Sequence, residues 1–204
     1  MMKAKKWMAL ALSAVMAVGM LTGCGGGGGT ASNRSAMTVS QVNSALRKVD
    51  SEAKAKTLDD LNEAVEETAD YMLSRGVRDA NTLLGFLAAE RGYREDSTKY
   101  GTAFVVSDKE LEAGVSASSA ASAIASQVGL SADIAKIEEL GTLDSPEKVA
   151  AAVILGVDEG LEQWSDNPFF NIGNVTYAVS GRKVTMPNDA VYYLIVVEMN
   201  TASK

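Results

Sequence analysis

Residues 7–21 form an apolar run without a single charge, mostly Ala, Val, Leu and Met, and Lys3, Lys5 and Lys6 stand just before it. A positive flank followed by a short apolar core is the pattern of an export signal. The run falls short of the roughly 20 residues that a permanent membrane-spanning helix needs, and it ends in small residues. The chain is therefore expected to divide into a leader, residues 1–23, that is removed, and a remainder that must fold with what is left.

Immediately after the run stands Leu21-Thr22-Gly23-Cys24, and Cys24 is the sole cysteine of the chain. The motif resembles the bacterial lipobox, in which a small residue precedes a cysteine that is diacylated on sulfur and then cleaved at its amino side. The resemblance implies lipid attachment at Cys24 and a membrane partner reached through that lipid, on the extracytoplasmic face. Each buried methylene of an acyl chain contributes about 0.8 kcal/mol, so two chains hold where one is reversible. Gly25, Gly26, Gly27, Gly28 and Gly29 follow, then a stretch without apolar periodicity. Residues 24–37 accordingly read as a flexible tether that holds residues 38–204, a single domain, on the order of 20 Å from the lipid.

Loss of the leader takes three lysines from the 19 basic residues and none of the 26 acidic ones, which leaves a formal net charge of −10. Such a domain is repelled by phosphate backbones, so nucleic acid is not an expected partner. The chain has no histidine. With the one cysteine taken by lipid, Ser-His-Asp and Cys-His catalysis, zinc held by His or Cys, haem held by His, and any structural disulfide are excluded. Carboxylate, Ser, Lys or Tyr chemistry and an all-oxygen metal site survive, and composition signals none of them.

The remainder is patterned as helices followed by strands. Val39, Val42, Leu46 and Val49 share one face of a first helix. Leu58, Leu61, Val65, Met72 and Leu73 recur at helical spacing behind a cap at Thr57, with Gly76 as the stop. Asp79 or Asn81 caps a third helix that ends at Gly92. Residues 103–106 have the size of a buried strand. Residues 116–126 are almost all Ala and Ser and read as a closely packed helix. Ile134, Ile137 and Leu140 give a further turn or two, and Ser145-Pro146-Glu147 opens a helix with Val149, Ala152, Val153 and Val157 on its apolar face. Two β-rich runs, 175–179 and 190–197, joined by a long loop over residues 181–189, read as a hairpin. This order predicts an α+β fold, a small antiparallel sheet packed with helices.

Taken in sequence, Pro146, Trp164, Pro168, Asn171 and Ile172, the Ile172-Gly173-Asn174-Val175 segment and the Tyr-rich residues 192–197 resemble the CAP superfamily of cysteine-rich secretory, antigen-five and pathogenesis-related proteins, over roughly residues 42–199. The resemblance implies an α-β-α sandwich with a cleft. The family's cleft usually holds two histidines and two acids around a divalent metal. Here the acid's place falls on Thr102 and that of a histidine near Phe170, which implies a degenerate cleft without metal or other cofactor.

Residues 164–170 are the most unusual local composition, with aromatics beside Asp and Asn. Trp164, Asp166, Asn167 and Phe170, with Thr102, are the candidate cleft residues, able to offer aromatic faces and orienting polar groups to a sugar or peptide. The plainer reading makes the aromatics a plug between helix and sheet. Asp158, Glu159 and Asp166 have oxygens for Ca²⁺ but lack the spaced loop of an EF-hand. The acid pairs Glu66-Glu67 and Glu138-Glu139 read as solvated helix faces, and no catalytic residue is assigned. The expected function is a lipid-anchored binding or interaction module of the cell envelope with a protein, peptide or glycan partner; the alternative is a carboxylate-dependent hydrolase of cell-wall or extracellular glycan.

Overall fold

A computed structural model describes residues 30–96, 98–165 and 172–203. In chain order these form β1 (Thr30–Ser35), α1 (Val39–Lys48), β2 (Ala55–Lys56), α2 (Asp59–Arg75), α3 (Ala80–Arg91), β3 (Lys99–Ser107), α4 (Asp108–Ala113), α5 (Ala117–Val128), α6 (Ile134–Glu138), α7 (Pro146–Ser165), β4 (Ile172–Thr185) and β5 (Val191–Ser203). The fold is α+β, as expected. The sheet runs β1-β4-β5-β3 with antiparallel neighbours, and β2 adds a short parallel pairing to β4, so it is mixed rather than purely antiparallel. No helix among the described residues is long and apolar enough to cross a membrane.

Alternation along the strands sends side chains to two cores. Phe104, Val106, Tyr177, Val179, Ile195 and Val197 pack with α1, α5, α6 and α7 on one face. Ala103, Ala178, Val184, Leu194 and Val196 pack with α2 and α3 on the other. Each fully buried Leu, such as Leu46, Leu61 or Leu87, contributes about 1.5–3 kcal/mol. Helix α7 is buried all round from Val149 to Val157, which suits a helix that is apolar on every side. Its glycines let neighbours close in: a Cβ on Gly156 would fall 2.6 Å from Ile124 Cδ1 and 2.9 Å from Ala132 Cβ.

Local chemistry sets the helix ends. Asp79 caps α3 by accepting from the Thr82 N–H at 2.7 Å. Ser107 and Glu110 form a capping box on α4, and the Ser145 hydroxyl accepts from the Lys148 N–H at the start of α7. Gly76 and Gly92 close α2 and α3 in the left-handed conformation, where a Cβ would be strained. The cap expected at Thr57 is corrected: Leu58 holds the cap position of α2 without a side-chain bond.

Two larger expectations are also corrected. Within the stretch read as a tether, residues 30–35 form edge strand β1, with Thr30 opposite Thr185 and Ser35 opposite Arg182. Strand pairing is made by backbone groups, so it needs no apolar periodicity. Residues 181–185 belong to β4 and not to a loop. Gly181 lies opposite Ile195, and a Cβ there would come within 3.3 Å of Met37 Cε. The glycine makes room for Met37 and does not break the strand. The turn is confined to residues 186–190, closed by Met186 N–H donating to the Ala190 carbonyl at 2.8 Å, with Asp189 at φ 61°.

Candidate functional site

The expected cleft is represented among the described side chains by Thr102 alone. Asp166, Asn167 and Phe170 lie outside the described residues, as does Cys24, and Trp164 belongs to the last turn of α7. Thr102 is buried, and its hydroxyl donates to the Val197 carbonyl at 3.3 Å. It lines a cavity of about 10 Å³ with Tyr100, Val157, Tyr177, Val197 and Met199, room for about one water molecule. Tyr177 forms one wall and donates its hydroxyl to Asp158 at 2.7 Å. Burial, and then the Asp158 carboxylate, push the Tyr177 phenol well above its usual range, so it acts as a donor and not as a base.

On the opposite face of the sheet stands a polar cluster that the sequence reading missed. Glu198 is fully buried on β5. It accepts from Arg91 Nε at 2.7 Å and Nη2 at 3.0 Å, from the Tyr93 hydroxyl at 2.9 Å and from Asn200 Nδ2 at 3.0 Å. Arg91 also pairs with the exposed Asp60 at 2.7 Å. Burial alone would raise Glu198, but the bonds from Arg91, Asn200 and Tyr93 outweigh it and hold the carboxyl below its ordinary value. The Glu198 bonds raise Arg91, and burial followed by the Glu198 charge raises Tyr93. A carboxylate with four donors and no access to solvent does no acid–base work; it ties the end of α3 to the sheet. The signal was a lone acid inside the apolar run Leu194-Ile195-Val196-Val197-Glu198-Met199.

A second cluster lies beside it. Ser180 donates to Asn62 Oδ1 at 2.7 Å, and buried Arg182 donates to the Asn62 carbonyl at 3.1 Å and to Glu66 at 3.5 Å. Among the described residues its Nε has no partner. Glu66 is thus drawn toward the sheet rather than wholly solvated. Loss of hydration, and then the charge of Glu90, raise Glu67 above its ordinary value. Among the described residues no group of three or more His, Cys, Asp or Glu is placed to hold a metal ion.

Comparisons with models of protein families, with curated proteins and with solved structures return no match.

Proposed function

We propose that this chain is a lipid-anchored interaction module of the bacterial cell envelope, exported, cut before Cys24 and held at the membrane by acyl chains on that residue. Leu21-Thr22-Gly23-Cys24, placed directly behind the apolar run of residues 7–21, carries the reading. Binding is favoured over turnover because two buried polar side chains of the sheet are engaged in packing: Glu198 by four donors, and the Thr102 hydroxyl by Val197. A degenerate CAP-like origin belongs to the same reading, supported by the order of the elements.

The glycan hydrolase alternative requires two carboxyls facing each other across an open cleft, about 5–10 Å apart. The buried carboxylate of Glu198 is instead closed off by Arg91, Tyr93 and Asn200. Palmitate labelling of the wild-type chain and of Cys24→Ala tests the anchor: label and detergent-phase partition are expected in the first and lost in the second. Unchanged partition of the variant contradicts it. A screen of the mature domain against peptidoglycan fragments, glycans and envelope proteins tests the interaction, with saturable binding and no hydrolysis expected.

A further inference from the structure

Resting on the lipid-anchor reading, the geometry points to one end of the domain, the β4–β5 turn, as the surface that sits against the phospholipid headgroups. Thr30 pairs with Thr185, the last residue of β4. Between Cys24 and Thr30 stand five glycines, which even fully extended reach no more than about 20 Å. The strand β1 therefore delivers the lipid to the turn end of the sheet. The far end, where Thr201 N–H bonds the Thr98 carbonyl, lies about 33 Å away along β5.

The two ends differ in chemistry. On either face of the turn a cation rests on a tyrosine: Arg78 stands 5.5 Å from the Tyr192 ring centre and Lys183 stands 5.9 Å from that of Tyr193. Arg78 and Lys183 are exposed, and the tyrosines are half-buried. Aromatic rings with an exposed cation suit the headgroup layer, where the ring meets the interface and the charge reaches phosphate. Acids are present at this end too: Asp79, which caps α3, Asp108, which accepts the Tyr193 hydroxyl, and exposed Asp189 in the turn itself. The far end carries Glu95, Asp96, Asp158 and Glu159 beside Arg94 and Lys99, the last paired with Asp96, and has no such cation–tyrosine pair among the described residues.

The test uses the lipidated chain in vesicles containing phosphatidylglycerol and a lipid with a nitroxide on its headgroup. Acylation blocks the native thiol, so Asn188→Cys in the turn and Glu95→Cys at the far end each take a single fluorophore. A marked loss of fluorescence is expected for the label at 188 and none for that at 95, and Arg78→Gln with Lys183→Gln is expected to reduce the loss at 188 while melting stays cooperative. Equal loss at both positions, or more at 95, overturns the orientation. Undiminished loss at 188 in the double variant overturns the headgroup contact. Flotation separates the two levels: a chain that fails to float with the vesicles refutes the anchor as well, whereas one that floats without the expected difference refutes the orientation alone.

Discussion

The Tyr93 ring lies across Gly101 so closely that a Cβ on the glycine would fall 2.3 Å from ring atom Cε2 and 2.9 Å from the hydroxyl oxygen. Gly101 is opposite Glu198 in the β3–β5 pairing, so its missing side chain is what lets the Tyr93 hydroxyl reach that carboxylate. Gly101→Ala should destabilise the domain by about 1–3 kcal/mol through overpacking. Tyr93→Phe keeps the ring and loses a bond to a charged group, at a cost of about 1.5–3 kcal/mol. Urea unfolding measures both, and an unshifted midpoint for Gly101→Ala would show that the ring swings aside freely.

The Arg91–Glu198 pair makes a prediction about pH. Glu198 is held below its ordinary value in the fold. Its contribution is therefore full above the unfolded value of about 4.3 and is lost as pH falls through the folded value. Arg91→Met would leave a buried carboxylate unpaired, costing about 3–5 kcal/mol at pH 7. Without the guanidinium, burial raises Glu198, so acid neutralises it and the deficit shrinks. The stability difference between the two proteins should be large at pH 7 and small near pH 3. A difference that is flat across this range would contradict the pairing as the source of the effect.

Two glycines in helices should respond with opposite signs. Gly85 lies inside α3 with nothing within 4 Å of an added Cβ, so Gly85→Ala should stabilise by about 0.5–1 kcal/mol from helix propensity. Gly156 meets Ile124 and Ala132, and Gly156→Ala should lower the melting temperature because overpacking of about 1–3 kcal/mol exceeds that gain. Thermal melts of the two variants decide it; a stabilised Gly156→Ala would mean that α5 and α6 yield without cost.

Where a side chain decides the structure, the sequence was readable. The stripe of Leu61, Val65 and Met72 and the stops at Gly76 and Gly92 located α2 and α3 because burial and positive φ select those residues directly. Strand β1 was not readable, since it is joined to β4 through backbone groups that every residue carries. Gly181 misled because a glycine that admits Met37 looks the same in sequence as one that turns the chain. Of the cleft, Thr102 is found buried in an apolar wall. The Glu198 clamp was missed because Arg91 and Tyr93 are more than a hundred residues away in the chain, and only the fold brings them together.

The central claim is the lipid on Cys24, and the intact mass of the mature protein tests it most directly. The account predicts a chain beginning at Cys24, lacking residues 1–23, and heavier than its polypeptide by a diacylglyceryl group on sulfur. A mature chain with an unmodified Cys24 thiol, or with its amino terminus at another residue, would contradict it.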